Sequence, residues 1–407
     1  MNAKVMREII KYFYPLVIIL LLLIFKIISF FNFIFCYLAY CTIIYLNTKT
    51  YLFFVKTEFN EKLLEKCPSI KNPCFKQYFF LPFTFCQFLL GEFCKYSKSD
   101  NKNKLLFEEE KIDDEGTSLY WGYYEKTGIN HRNPVLFILP GITGNYEDTY
   151  IQNTTIEALN NNYDVVIFQM RTLSSEMKMP KNKYVDFYED INKSLIKIKN
   201  KNKNIIHAIG FSYGANLLCG YLGNKNLETN YIEGGIAISN PFDLYFSQRF
   251  GEDTLYESLI SYFEKKSYMK AVNSLNKNAK TKKELINVDI LNLDYYVKTF
   301  DTEFFGKILG YKNGDDYYKG ISSAKYIKNI NKPLLVIHSK DDPICTYKGI
   351  PMDDICENKN IIFILTDKGG HTCFVENGND FSLSTKQWIF KPAFEFINYL
   401  KNVNLTL

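Results

Sequence analysis

Histidine is scarce in this chain, which has four imidazoles in 407 residues, at positions 131, 207, 338 and 371. Any chemistry that needs an imidazole base must therefore use one of these four side chains. The sequence also lacks a cluster of histidine, cysteine and aspartate with the spacing of metal ligands, so we predict no metal site.

A strong excess of charge of one sign is also lacking. The chain has 49 basic and 44 acidic residues, for a net charge of +5. It contains no dense lysine and arginine cluster with interleaved aromatic residues. Because nucleic-acid binding requires such a basic footprint, we exclude nucleic acid as a partner.

Charge is almost missing from the N-terminal region, where Lys26 is the single charged residue between positions 12 and 46. Residues 27–46 form an uncharged run, and a membrane-spanning helix needs about 20 residues. We therefore predict that residues 1–49 are a membrane anchor, either one tilted span or a hairpin that includes residues 12–25. A buried core helix is the alternative. A cleaved signal peptide fits poorly, because the apolar stretch is too long and no small-x-small site follows it.

The side of the membrane that carries the rest of the chain stays open. Basic residues on both sides of the anchor favour a cytoplasmic N-terminus only weakly. A single span would then place the large domain on the luminal side, whereas a hairpin would keep both on one side. Cysteines do not decide the compartment, although four after the anchor could form two disulfides: Cys67, Cys74, Cys86 and Cys94.

The most informative motif lies near the middle of the chain. An apolar run at residues 205–209 precedes a Gly-x-Ser-x-Gly motif and a predicted helix start: Gly210-Phe211-Ser212-Tyr213-Gly214. A strand that turns sharply into a helix is the setting in which this motif forms a nucleophile elbow. We therefore predict Ser212 as a nucleophile and the backbone N–H of Tyr213 as an oxyanion donor. The alternative is a loop in which the glycines provide only flexibility.

A glycine-containing loop follows an earlier apolar run. Residues 135–139 are wholly apolar, as expected of a strand buried on both faces, and they lead into Pro140-Gly141-Ile142-Thr143-Gly144. In sites built on a nucleophile elbow, such a loop supplies the second oxyanion donor. We predict that the N–H of Ile142 has this role. An ordinary strand-to-helix turn is the alternative.

Strand and helix patterns alternate along most of the chain, which predicts an α/β fold with a mostly parallel sheet and helices on both faces. Ligands of such sheets bind at the carboxyl ends of the strands. The predicted strands are 105–110, 118–124, 135–139, 163–169, 205–209, 234–239, 333–338 and 361–366, and the predicted helices include 184–199 and 394–400.

We divide the chain into the anchor, a juxtamembrane segment at residues 50–104 and a folded domain at residues 105–407. Within that domain, residues 242–328 lose the strand pattern and are mainly helical by spacing. We predict that they form a cap over the site. Their many tyrosines and phenylalanines indicate either an acyl-chain pocket or simple packing, since aromatic side chains at helical spacing serve both.

A serine, an aspartate after a late strand and a histidine after the last strand follow one another in the order of a Ser-Asp-His triad. His371 is the predicted base, because it alone lies in a loop after the final strand. His207 lies within the elbow strand and is predicted to be a core residue. Asp341 and Asp342 compete as the acid, and we choose Asp342, which directly precedes Pro343.

These motifs occur together with four further ones: Asp114-Glu115-Gly116, Tyr120-Trp121, Tyr317-Tyr318 with Ser322, and Gly369-Gly370-His371. In this combination the chain resembles the membrane-anchored α/β-hydrolase-domain esterases and lipases, which include animal phospholipid and monoacylglycerol hydrolases and fungal medium-chain ester synthases. The resemblance covers roughly residues 60–400. It implies the α/β-hydrolase fold, a lipid or ester substrate, no cofactor, and residence on the endoplasmic reticulum or another internal membrane.

The chain departs from that family in two places. Gln169-Met170-Arg171-Thr172 stands where the family usually has Asn-x-Arg-Gly, and the acyltransferase box His-x-x-x-x-Asp is missing, because Pro343 occupies its last position after His338. The first departure bears on the pocket shape. We expect a serine hydrolase that cleaves carboxylic esters of phospholipids or acylglycerols. Acyl transfer through the same triad and a non-catalytic membrane-bound binding protein are the alternatives.

Overall fold

The computed structural model describes residues 30–84, 104–179, 184–227, 230–279, 285–289, 296–377 and 383–404, together with residues 18, 20, 21, 24 and 281. Eight of the eleven strands in the described residues match the predicted ones within about two residues at either end, whereas the first strand and the last two were not predicted. They are β1 (Thr50–Phe54), β2 (Leu105–Lys111), β3 (Ser118–Tyr124), β4 (Val135–Leu139), β5 (Asp164–Gln169), β6 (Ile206–Phe211), β7 (Ile232–Ile238), β8 (Leu334–Ser339), β9 (Ile361–Thr366), β10 (Val375–Asn377) and β11 (Leu383–Gln387).

Nine strands form one sheet in the order β1-β9-β8-β7-β6-β4-β5-β3-β2. The six inner strands, from β9 to β5, pair in parallel. The outer strands β1, β3 and β2 pair antiparallel to their neighbours. The predicted mostly parallel sheet is therefore confirmed. β6, which carries the elbow motif, lies at the centre of the sheet, so its carboxyl end is supported on both sides.

Helices cover both faces of this sheet, as predicted. The helices outside residues 242–328 are α1 (Phe30–Asn47), α2 (Glu58–Lys66), α3 (Pro68–Lys71), α4 (Thr149–Asn160), α5 (Phe187–Lys201) and α6 (Tyr213–Gly223), followed after the cap by a short helix (Met352–Glu357) and a long one (Phe390–Asn404). Alternate residues of β4 enter two separate cores: Phe137 packs on the side of α5 and α6, and Ile138 on the side of the C-terminal helix. This two-sided burial explains why the inner strands are continuous apolar runs.

The region predicted to be a cap is helical in its described residues. Its helices are α7 (Leu244–Gly251), α8 (Leu255–Asn278), α9 (Val297–Asp301), α10 (Lys307–Leu309) and α11 (Gly314–Ile321), and a π-helical turn at Thr302–Gly306 joins α9 to α10. The two helices after the cap are numbered α12 (Met352–Glu357) and α13 (Phe390–Asn404). Much of the cap's aromatic content packs on itself: Tyr268 stacks on Phe300 and Phe304, with ring centroids 5.8 and 5.4 Å apart.

α1 is an apolar helix of 18 residues with a mean hydropathy of 1.5, and 6% of it is buried. By length and composition it can cross a membrane, and it is part of the predicted anchor. Most of the earlier apolar run, residues 12–25, lies outside the described residues. The choice between one span and a hairpin therefore stays a prediction.

The segment after α1 differs from our expectation. We placed residues 50–104 in a juxtamembrane segment and predicted no strand there, but Thr50–Phe54 forms the edge strand β1, paired antiparallel with β9. Phe53 lies opposite Phe363, with ring centroids 5.8 Å apart. All five residues of β1 are half-buried. The strand therefore lacks the alternation of buried and exposed residues by which an edge strand is recognised in a sequence. Cys67 and Cys74 are free thiols. The other two cysteines of this cluster, at positions 86 and 94, lie outside the described residues.

Candidate active site

The sharp turn between β6 and α6 places Ser212 in a rarely populated backbone conformation. Its φ is 52° and its ψ is −117°, which is a strained conformation for a residue other than glycine. A Cβ on Gly214 would lie 2.1 Å from the carbonyl oxygen of Leu139, and a Cβ on Gly210 would lie 2.6 Å from the carbonyl oxygen of Gly214. Strand and helix therefore pass so closely that both glycines are required, which is the geometry predicted for a nucleophile elbow.

His371 reaches Ser212 from the loop after β9. Its Nε2 lies 2.9 Å from the Oγ of Ser212. The loop turns through Gly369 and Gly370, both at positive φ, and the hydroxyl of Ser339 donates to the carbonyl of Gly370 at 2.7 Å. The imidazole is thus held against the serine by bonds to its own loop, and it is 8% exposed.

Asp342 lies on the other side of the same imidazole. Its Oδ2 is 2.9 Å from Nδ1 of His371, and its side chain is fully buried. The other oxygen, Oδ1, accepts the backbone N–H groups of Ile344 and Cys345 at 2.9 and 2.8 Å. Both carboxylate oxygens therefore have partners, and the carboxylate is fixed in orientation.

Asp341, the competing candidate, makes different contacts. Its Oδ1 accepts the N–H of Gly370 at 3.0 Å, and its Oδ2 accepts the hydroxyl of Thr84 at 2.8 Å. Asp341 therefore connects the histidine loop to the segment after α1, whereas the contact with the imidazole ring belongs to its neighbour.

The two residues predicted to donate to the oxyanion, Ile142 and Tyr213, line the same cavity as Ser212. Tyr213 is the first residue of α6, where the N–H groups of a helix have no partner within the helix. The loop that contains Ile142 packs against the elbow, since a Cβ on Gly141 would be 3.7 Å from the Cβ of Ser212. The cap contacts this loop as well, because the hydroxyl of Tyr268 donates to the carbonyl of Ile142.

The remaining histidines have other contacts. His207 is fully buried and its Nδ1 lies 3.0 Å from the hydroxyl of Tyr163, so it is the predicted core residue; burial lowers its pKa to about 3. His338 is also buried, and its Nε2 lies 2.8 Å from the carbonyl oxygen of Cys345. It therefore supports the loop whose N–H groups hold Asp342. His131 packs edge-on against Trp121.

A cavity of about 1240 Å³ opens above Ser212. It is large enough for a lipid-sized ligand. The cap supplies part of the apolar wall of this cavity, through Tyr256, Leu259, Ile260 and Phe263. The aromatic residues of the cap therefore have both of the roles considered for them, since some line the cavity and others pack against one another in the interior.

Two features of the site escaped the sequence analysis. The first is Cys345, which lines the cavity and whose sulfur lies within 4.8 Å of a carboxylate oxygen of Asp342 and a ring nitrogen of His371. Within the described ranges, these three residues are the one group that could hold a metal ion. Because Asp342 and His371 already bond to each other, the closeness needs no ion. The second feature is Arg171, which is 2% exposed and pairs with Asp190, Asp113 and Glu115. It occupies the stretch that departs from the family motif.

Comparisons with known proteins identify the family of this fold. A family model described as alpha/beta hydrolase fold matches residues 134–378. A monoacylglycerol lipase of Saccharomyces cerevisiae is 28% identical over 290 residues, which are 68% of this chain and 62% of the relative. The phospholipase ABHD3 of Bos taurus is 26% identical over 245 residues, 60% of this chain and 59% of the relative. The medium-chain fatty acid ethyl ester synthase/esterase 2 of Saccharomyces cerevisiae is 25% identical over 288 residues, which are 65% of this chain and 61% of the relative. The chain thus spans about three fifths of the length of these relatives.

Proposed function

Because this chain belongs to the α/β-hydrolase family, we propose that it is a serine hydrolase that cleaves carboxylic esters of lipids. The observation that carries the proposal is the continuous contact from Ser212 through His371 to Asp342, with both distances at 2.9 Å. The strained backbone of Ser212 supports it, because such strain persists only where the surrounding structure enforces it.

The proposed reaction begins with attack of the Ser212 hydroxyl on the acyl carbon of the ester. Nε2 of His371 takes the serine proton and then delivers it to the leaving alcohol. Asp342 holds Nδ1 of the ring protonated and stabilises the imidazolium. In the second half, His371 activates water, which hydrolyses the acyl-enzyme and frees Ser212.

The tetrahedral intermediates need donors for their oxyanion. We assign this role to the backbone N–H groups of Tyr213 and Ile142, which lie on a helix start and on a loop that packs against the elbow. Backbone donors held in place cost little reorganisation, and the loss of one such donor typically costs about 100-fold or more in kcat. Neither donor nor any step of this mechanism calls for a metal or cofactor.

The proposed substrates are phospholipids or acylglycerols. The size of the cavity and the apolar cap residues along its wall support a long acyl chain. Two relatives, a monoacylglycerol lipase and a phospholipase, are named for lipid esters. We further propose that residues 1–49, which include α1, anchor the enzyme in an internal membrane, next to such substrates.

Fluorophosphonate labelling tests the mechanism, since this probe bonds to an activated serine. We expect labelling of the wild-type protein and none of Ser212→Ala. Ser274→Ala, which alters a serine on α8, is the matched control and should label like the wild type. Equal labelling of Ser212→Ala, or no labelling of a folded wild-type protein, would refute the proposed nucleophile.

Acyl transfer is the second candidate, and the similarity to an ester synthase/esterase favours it. It uses the same acyl-enzyme, with an alcohol in place of water as the acceptor. Product analysis with ethanol or a lysolipid present separates the two. A dominant new ester would establish transfer, whereas free fatty acid alone would establish hydrolysis.

A further inference from the structure

Three carboxylates of the cap line the cavity above Ser212: Glu257 and Glu264 on α8, and Asp301 at the end of α9. Glu264 is 1% exposed and Asp301 is 2% exposed. Acidic side chains are almost never buried to this degree unless they are paired. Their position in the wall of a substrate cavity therefore calls for an explanation.

Both of the buried acids have an oxygen without a partner among the described residues. Oε2 of Glu264 and Oδ1 of Asp301 are fully buried and accept no hydrogen bond. The hydroxyl of Tyr318 donates to the other oxygen of Asp301, at 2.6 Å. An unpartnered buried acceptor destabilises the folded state, and it does so more strongly when it is charged. A ligand that offers a positive charge would remove this cost.

The charges of the acids also repel one another. Burial raises the pKa of Glu264 well above its ordinary value, and the nearby carboxylates Asp301 and Glu257 raise it further. Burial raises the pKa of Asp301 to about 7. A cation between them would reverse both effects, because opposite charge favours the ionised form.

This cluster adjoins the predicted oxyanion residues. Tyr268 lies one helical turn after Glu264 and donates to the carbonyl of Ile142. Next to Tyr318, the hydroxyl of Tyr317 donates to that of Tyr213 at 3.2 Å. Because Ser212, Glu264 and Asp301 line one cavity, a group bound at the acids can belong to the same molecule as an ester bound at Ser212.

We propose that Glu264 and Asp301 form a subsite for a cationic nitrogen, a protonated amine or a quaternary ammonium, carried by the ester substrate. The proposal rests on the proposed ester hydrolysis and narrows its substrate class. Tyr256 and Tyr318 line the same cavity, and aromatic rings attract ammonium groups. Lys266 and Lys270 also line the cavity but are exposed to solvent, so their opposing charge is screened more strongly.

A pair of isosteric esters tests the subsite. Butyrylcholine carries the ammonium, and neohexyl butyrate has carbon in place of its nitrogen. A second pair attaches the same two alcohols to the phosphate of dihexanoylphosphatidate. In the first pair the ammonium belongs to a small amino-alcohol ester, and in the second pair it belongs to a lipid head group. A preference for the ammonium member of one pair therefore identifies which kind of substrate carries the cationic nitrogen. We expect the wild-type enzyme to prefer the ammonium member of at least one pair by about tenfold in kcat/KM.

Glu264→Gln and Asp301→Asn remove the charge and keep the shape. We expect each to lower the ratio of kcat/KM between ammonium and neutral ester by about tenfold. A loss of activity that affects both esters equally does not change this ratio. Asp289→Asn, which changes an exposed carboxylate of the cap, is the control and should keep the ratio. A wild-type ratio near one in both pairs, or a ratio unchanged in both buried variants, would overturn the subsite.

Direct binding separates this inference from the proposed chemistry. Tetramethylammonium is titrated calorimetrically into Ser212→Ala protein, with sodium chloride as the ionic-strength control. We expect saturable binding that Glu264→Gln in the same background abolishes. This binding tests the subsite even if Ser212 proves not to be a nucleophile. If tetramethylammonium does not bind, the subsite is overturned, and fluorophosphonate labelling still tests the proposed hydrolase mechanism separately.

Discussion

Replacing Asp342 by asparagine is the most discriminating change that the site allows. The side chain uses one oxygen for Nδ1 of His371, at 2.9 Å, and the other for the N–H groups of Ile344 and Cys345, at 2.9 and 2.8 Å. An asparagine has only one oxygen. Because its NH₂ group cannot face two N–H donors, the amide oxygen must turn to the loop and the NH₂ group must face His371.

The consequence for the imidazole follows from its two nitrogens. A ring that faces an NH₂ group accepts a hydrogen bond at Nδ1 and therefore carries its proton on Nε2. In that tautomer Nε2 cannot take the proton of Ser212, which lies 2.9 Å away. A wrong tautomer in a serine triad lowers kcat by about 10⁴-fold, equivalent to about 5 kcal/mol of activation free energy. Binding of the ester does not use Asp342, so KM should change little.

The assay is steady-state hydrolysis of a soluble butyrate ester, with thermal unfolding to establish that the variant is folded. Asp341→Asn is the matched control. Its oxygens accept the N–H of Gly370 and the hydroxyl of Thr84, so we expect a loss below about tenfold from a displaced loop. A larger loss from Asp341→Asn than from Asp342→Asn would refute our assignment of the acid.

Three further changes test the packing around the site. Gly214→Ala places a Cβ 2.1 Å from the carbonyl oxygen of Leu139; we expect a loss of about 3 kcal/mol or more in unfolding free energy, and a soluble variant with unchanged melting temperature would contradict the close approach. Arg171→Met leaves the carboxylate of Asp190 buried without its partner; we expect a loss of about 3–5 kcal/mol in denaturant unfolding, largely recovered when Asp190→Leu is added. Asp301 has its pKa raised from 3.8 to about 7 by burial, so the folded state binds more protons than the unfolded state between about pH 4 and pH 7, and wild-type stability should fall as pH rises through that window. Asp301→Asn should show a smaller fall, because Glu264, whose pKa burial also raises, still contributes to it. An equal change of melting temperature with pH in the two proteins would contradict the prediction.

The meeting of Ser212, Asp342 and His371 could be predicted from the sequence because it depends on local patterns. Each residue follows an apolar run that reads as a buried strand, and neighbouring parallel strands end at one edge of the sheet. The choice of His371 was further aided by the small number of imidazoles. The same local logic located the glycines of the elbow, since close approach of strand and helix excludes a Cβ.

Features that depend on distant pairing could not be predicted in this way. β1 is recognisable only through β9, more than three hundred residues later. Glu264 and Asp301 lie on different helices of the cap, and nothing in the local sequence marks Glu264 as buried, since the exposed Lys266 follows it two residues later. Arg171 was noted only as part of a departure from the family motif, because its three carboxylate partners come from other parts of the chain.

The connection between α1 and the sheet limits how the enzyme can move. α1 ends at Asn47 and β1 begins at Thr50, while Lys76 donates to the carbonyls of Tyr45 and Thr48 at 2.9 and 2.8 Å. If α1 crosses a bilayer, so short and braced a junction leaves the hydrolase domain no freedom to swing like a domain on a flexible linker. The mouth of the cavity would then sit at a constant height and tilt above the lipid surface, and under the proposed function only those esters whose bonds reach that height would be cleaved.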